Sequence, residues 1–380
     1  MKKQKINILI IIMVILSSMF NVFNISAVAT NQDNEESDFI LPDEIGYYDD
    51  GSGFAYKVFV EGDYAFVADG EDGMEIIDVS NVSHPVNVSQ YFEQGTIIDL
   101  EINQDFAYLL NDGIKLEIIN ITDPAQPQKI GQFNSSVKIH DFCVLNDFTY
   151  LTTAEYGLTI LNVSDPTQPT NISHWESERN YESLYSVQFH ENRLYIGAGH
   201  RLLTLKIKDP ILPVEVAIYS DDMFDARYAT ISDHYAYVSN YINCNPCEEG
   251  LRIIDIRFPK VSYTISSYST EIPPRDITIH KDFAFLATGG IEILDISSKR
   301  KLSLIGSISP NNSDCNDIVV KDNFIYYANG AGGLRILNGT SLFEDYDGGS
   351  IPGFPNIIGL SGIVILAITW NLSFKQKKKV

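Results

Sequence analysis

Asp99, Asp141, Asp276 and Asp317 each stand nine residues ahead of an aromatic side chain. Carboxylates in such a column lend themselves to two kinds of chemistry. Their oxygens bind hard cations and basic side chains, and they accept backbone amides of an adjoining element equally well. Lys57, Ser186 and Tyr228 fill the equivalent places elsewhere, so the column is incomplete. Cys244-Asn245-Pro246-Cys247 offers a second chemistry, a local disulfide if the protein lies outside the cell. One C-x-x-C pair supplies only half a zinc site and no second pair exists, so neither a metal nor a cofactor is expected. A Gly-x-Ser-x-Gly nucleophile elbow is absent, and the seven histidines are scattered without a metal-ligand spacing. The chain is therefore expected not to be an enzyme, although carboxylates from distant segments can still meet in space.

The elements that must position these residues repeat. A short alternating run ends at Phe66, Tyr108, Tyr150, Tyr195, Tyr237, Phe285 and Tyr326, at steps of 42, 42, 45, 42, 48 and 41 residues. A second run follows each aromatic: Met74–Asp78, Leu116–Asn120, Leu158–Asn162, Leu203–Lys206, Leu251–Asp255, Ile291–Asp295 and Leu334–Asn338. A proline-led run such as Pro127–Phe133 ends most units. Short β-branched and aromatic runs divided by Gly, Asp, Asn and Pro read as strands with tight turns. About four per unit, at this period, is the pattern of a propeller blade. One such sheet cannot bury both faces alone, so the blades must stack. The aspartate column then begins the innermost strands, near the mouth of a central channel.

The last unit lacks a proline-led run, and the missing piece stands at the other end of the body. Pro42–Tyr48 matches Pro127–Phe133 at Pro, Ile, Gly and the aromatic. The expected fold is all-β, a seven-bladed β-propeller over residues 39–342 closed by an N-terminal outer strand, which removes the open edges of a linear array. The runs that end in hydrophobic-Ile-hydrophobic-Asp resemble the LVIVD repeat of β-propellers that are often secreted. The resemblance spans about Asp38 to Asn338 and implies fold and location rather than chemistry. Asp78, Asp255 and Asp295 match the terminal acid of that motif, Asn120, Asn162 and Asn338 are near-isosteres, and Lys206 departs from it. This column is expected to cap a turn by accepting backbone amides. Lys206 cannot accept such bonds, so blade four must turn differently.

Both ends give the body the same orientation, outside the cell. Lys2, Lys3 and Lys5 precede an apolar run and Ala27-Val28-Ala29, the parts of a signal peptide over residues 1–29; an uncleaved anchor is the alternative. An acidic linker fills residues 30–38. Residues 343–355 form a second linker, residues 356–374 an apolar stretch long enough to span a bilayer, and residues 375–380 a lysine-rich tail that stays cytoplasmic. Pro352-Gly353-Phe354, the span and the basic tail together resemble the sorting signals that archaeosortases process in archaeal surface proteins. The resemblance implies replacement of the span by a lipid; an ordinary transmembrane anchor gives the same topology. Leaving out the seven lysines of the two ends, the body carries 20 basic and 50 acidic residues, a formal charge of −30. Such a surface repels phosphate backbones, which argues against nucleic acid. It suits cations, basic proteins or simply solubility.

Loops on the face that carries the aspartate column vary most in length, with Trp175–Ser183 leading into blade four and Asn240–Gly250 interrupting blade five. Trp175, Arg179, Tyr181, Arg227 and Tyr241 are the partner-contact candidates there; tolerated surface insertion is the plainer account. Among several glycosylation sequons, Asn81, Asn87 and Asn311 stand outside the turn-capping column. The function expected is a membrane-anchored, cell-surface binding module for an extracellular protein or glycan. A structural envelope component and an extracellular hydrolase or lyase are the alternatives. An enzyme should gather carboxylates of shifted pKa in a deep pocket, and a binder should expose aromatics on the loop rim.

Overall fold

In the computed structural model the described residues are 41–344, apart from 155–156, 178–182, 222–224, 242–249 and 310–313. The expected signal peptide, acidic linker, sorting motif Pro352-Gly353-Phe354, span and tail lie outside them, as do Arg179, Tyr181, Cys244, Cys247 and Asn311. Among the described residues no helix is long and apolar enough to cross a membrane.

Seven four-stranded antiparallel sheets account for the fold. Blade one runs outward through Lys57–Glu61, Tyr64–Ala68, Met74–Asp78 and Val86–Tyr91, and the later blades repeat this order. Blade seven draws its outer strand from the other end: Asp43–Tyr48 pairs with Leu334–Asn338, placing Gly46 opposite Ile336 and Tyr47 opposite Arg335. The ring is thus closed by the N-terminal strand, as the proline-led match implied. A second stitch lies closer to the axis, where Ala55 and Gly330 exchange backbone hydrogen bonds of 2.9 and 3.2 Å.

Every blade carries one extra residue in its outer strand. The bulge residues are Ile45, Val88, Ile130, Ile172, Val216, Ile265 and Ile305, as the skipped pairings show. A bulge raises the local twist and bends the strand, and a β-branched residue suits the extended backbone there. In blades two and seven the next residue is a glycine that serves packing between blades, whereas Ser89 and Ser266 at that place donate to the neighbouring turn instead. A Cβ on Gly46 would fall 1.9 Å from the Val82 carbonyl oxygen, and one on Gly131 would fall 1.9 Å from that of Pro166. The turn of the following blade therefore lies directly against the outer strand, and only glycine fits.

The aromatic column is core. Tyr150, Tyr237 and Phe285 are fully enclosed between neighbouring sheets, and the apolar residues form clusters that run from one blade into the next. The terminal Asp/Asn column caps turns throughout. Asp78, Asn120, Asn162, Asp255, Asp295 and Asn338 each accept the amide two residues on, at 2.8 to 3.0 Å. In blade four Asp209 takes a similar part, accepting the Ile211 amide at 3.2 Å. Truncating Asn162 to Ala is expected to lower unfolding free energy by about 1 kcal/mol. Urea titration of the variant checks this, and a change within error would show that the turn holds without its cap.

Candidate functional site

The inner strands border a central cavity of about 1160 Å³, and the aspartate column lines it. Its first task is structural. Asp141 Oδ2 accepts the Val187 amide at 2.7 Å, Asp276 Oδ2 that of Ile318 at 3.1 Å, and Asp317 Oδ2 that of Val58 at 2.9 Å. Each amide belongs to the next blade, one residue past the column. Glu101 and Gln188, two residues further along their strands, repeat the device by accepting the amides of Val144 and Ile231. Thr230 and Thr278, at that same rung, donate instead to the carbonyls of Ile277 and Ile318. Inner-strand side chains therefore latch the seams from blade two round to blade one. Asp99 differs, accepting the Leu100 amide within its own strand at 2.9 Å.

The second property is charge. Lys57 Nζ stands 3.1 Å from Asp317 Oδ1. Burial works against its ammonium, but Asp317, then Asp99, Asp276 and Asp141, hold its pKa well above the ordinary lysine value. Burial drives the acids upward in turn. Asp99 is raised well above its usual range and Asp141 is raised, while Asp276 is pushed to about 7 by burial and then by Asp317. Burial also pushes Glu101 to about 8. Lys57 opposes the rise in both Asp99 and Asp141, as do the backbone amides each accepts. At neutral pH the channel retains protons that ordinary carboxylates have lost.

Aromatic side chains gather beside this cavity at blade one and around blades three to five. Inner-strand bulges in blades three and five give His140, Arg227 and Tyr228 their positions, and bulges often re-aim side chains beside sites. His140 stacks on Tyr185 at 5.3 Å and 10°. Arg227 lies between Tyr185 and Tyr241, 5.1 and 4.9 Å from the two ring centroids, a doubled cation–π contact. Its guanidinium also meets Asp225 at 3.4 Å. Tyr228, 42% exposed, tilts toward Tyr241 at 6.4 Å, and Tyr56 packs on Phe54. A smaller hollow of about 300 Å³, lined by Glu191, Arg193, Asp233 and Arg257 among others, gathers no comparable set.

Of the residues singled out from the sequence, Arg227 and Tyr241 are brought together, and Asp99, Asp141, Asp276 and Asp317 share the channel. Trp175 sits on the outer strand of blade three opposite Leu158, packed against the core between blades three and four. Its ring is half-buried, so part of it stays at the surface. Asn81 is exposed, and Asn87 is half-buried on the outer strand of blade one. Cys143 and Cys315 are buried free thiols, and burial raises both well above the usual range. Lys57, Glu101, His140, Tyr185 and Gln188 were missed as a group. The signal for Glu101 and Gln188 was their place two residues past the column, a pattern visible only once the strand direction is fixed.

The LVIVD repeat model matches residues 52–92, 138–175 and 274–309, which correspond to blades one, three and six. No curated protein matches the chain. Solved structures share the architecture at low identity. The computationally designed Ika8 protein is 10% identical, with a TM-score of 0.58 over 78% of this chain and 99% of that one. Raptor from Chaetomium thermophilum is 12% identical, with a TM-score of 0.61 over 78% of this chain and 29% of that one. Likeness at this level concerns fold alone. The chain carries LVIVD repeats and is built as a seven-bladed β-propeller.

Proposed function

We propose that the protein is a cell-surface, membrane-tethered binding module without catalytic activity, and that its partner docks on the channel mouth. One observation carries the reading: a cavity lined by carboxylates also carries His140 and Tyr228, and these touch the rings of Tyr185 and Tyr241 that hold Arg227 between them. Aromatic faces and fixed carboxylates together favour a protein partner that presents a Lys or Arg side chain. The acidic body draws such a partner at long range. The leader and span expected from the sequence support a location outside the cell, with the tether or its lipid replacement holding the ring near the membrane.

The propeller, displayed as the full chain, is to be screened against arrays of basic extracellular peptides and of glycans. Binding to basic peptides that weakens with salt and falls about tenfold in Arg227→Ala and Tyr241→Ala is the expected outcome. Binding confined to glycans would shift the partner class, and binding indifferent to both substitutions would remove the mouth from the reading.

Asp99 and Asp141 favour a second reading, an acid–base hydrolase or lyase, because two carboxyls in one cavity, both raised by burial, can divide the roles of acid and base. Against it, Asp141 already accepts the amides of Phe142 and Val187, which fixes it as a seam latch. Turnover of any glycan on the array, abolished by Asp141→Asn in a folded variant, would decide for the enzyme.

A further inference from the structure

Blades one and two place chemically matched residues at equivalent positions, and one difference between them points to a ligand. In blade two the buried Glu117 is surrounded by complementary groups. Asn111 Nδ2 donates to it at 3.1 Å, Tyr91 at 3.2 Å, and Lys129 Nζ lies 3.2 Å away while also meeting Glu93. Glu117 is fully enclosed, and its charge is balanced within the chain.

Blade one repeats this frame with the cation removed and acids added. Glu75 stands for Glu117 and Asp69 for Asn111, each at the same register in its blade. Asn87 occupies the position of Lys129, opposite Ile77 as Lys129 is opposite Ile119. Tyr48 and Asp50, from the closing strand and the loop after it, take the positions of Tyr91 and Glu93. Asp72 replaces Ile114 in the turn. Where blade two has two carboxylates and a lysine, the seam of blades seven and one has Asp50, Asp69, Asp72 and Glu75 with asparagine in the lysine's place.

Three of these groups point oxygens at no partner. Asp69 Oδ1, Asp72 Oδ2 and Glu75 Oε1 are sealed from solvent without a hydrogen bond, and Asp69 and Glu75 are each only 3% exposed. Oxygens of Asp50, Asp69 and Asp72 lie within 4.8 Å of one another, close to the span of oxygens around one ion at bond lengths of about 2.3–2.6 Å. The loop backbone closes on them. Gly53 has φ +73°, and a Cβ there would fall 2.0 Å from Asp69 Oδ2. The Asp50 side chain is held by the amide and hydroxyl of Ser52 at 2.9 and 2.8 Å.

We infer that the seam between blades seven and one binds a divalent cation of the calcium type through Asp50, Asp69 and Asp72, with the buried carboxylate of Glu75 as further counter-charge, the ion taking the place that Lys129 holds in blade two. Carboxylate-only oxygen ligands suit a hard cation. The ligands come from the closing loop and from blade one, so the ion would pin the N-terminal strand to the ring. None of these four carboxylates lines the central cavity.

The test uses the full chain, freed of metal with a chelator and titrated with calcium alone by calorimetry and thermal melting. One calcium per chain is expected, with the melting midpoint raised by about 5 °C at a hundredfold excess over Kd. Asp69→Asn is expected to weaken binding at least about tenfold. Asn87→Lys, which rebuilds the blade-two arrangement, is expected to raise the metal-free midpoint and to abolish the calcium response, so a folded, more stable variant reports on the site. Absence of calcium binding by the parent chain at millimolar concentration would overturn the inference. So would a calcium response that persists in both Asp69→Asn and Asn87→Lys, because the ion would then lie elsewhere.

Discussion

A chain that starts after Tyr48 is expected to lose its monomeric folded state. Asp43–Tyr48 supplies five paired positions against Leu334–Asn338, and removing it turns that strand into an open edge. Ile45 and Tyr48 also pack against the cluster shared by blades seven and one, with Val58, Val67 and Ile336. Two such side chains contribute about 1.5–3 kcal/mol each on burial, and ladder hydrogen bonds about 0.5–1.5 kcal/mol each. The sum is comparable with the whole stability of an ordinary domain, about 5–15 kcal/mol. The exposed edge would then pair between chains, so oligomers should replace the monomer in light scattering. Adding a peptide of residues 42–48 should restore the monomer, while the same peptide with Gly46→Val should not, given its close approach to Val82. A truncated chain that stays monomeric with an unchanged melting midpoint would show that the ring closes by some other means.

Legibility divided along the line between what recurs in sequence and what only geometry assembles. The closing strand was readable because Pro42, Ile45, Gly46 and Tyr48 repeat the spacing of Pro127, Ile130, Gly131 and Phe133, and each of those residues has a fixed duty in a blade. The turn caps were readable for the same reason, since Asx turns need only one side chain and a local amide. The aspartate column was visible, and its two uses were both open; the seam latches became clear only when Val58, Val187 and Ile318 lay across from it. Lys57 looked like a gap in the column, whereas it faces the carboxylates as their counter-charge. Trp175 and Asn87 both fall on outer strands and are half-buried there, a placement that strand pairing rather than residue type decides. Asp50 and Asp69 share no local motif. They meet because the two ends of the propeller meet.

Replacing Lys57 with Met is the second large effect expected, and its dependence on pH is the informative part. Breaking a buried ion pair by removing one partner costs about 3–5 kcal/mol. Lys57 keeps 39% of its side-chain surface accessible and Asp317 5%, so solvent screens part of this and about 2–3 kcal/mol is the better expectation near pH 8. Asp276 and Glu101, pushed to about 7 and about 8, hold protons in the folded chain over a range where the unfolded chain has released them. Stability must therefore fall as pH rises from about 4 to about 8, because the folded state binds the extra protons. With Lys57 present the four aspartates share a counter-charge and the decline is shallow. Without it each ionisation meets only other carboxylates, so the decline steepens and the variant should approach the parent by pH 5. Urea midpoints at pH 5, 6.5 and 8 measure this directly, with Lys57→Arg expected to keep most of the parent's stability. An equal loss at all three pH values would mean that the lysine acts through its aliphatic stem and that its charge is not what holds the acidic channel together.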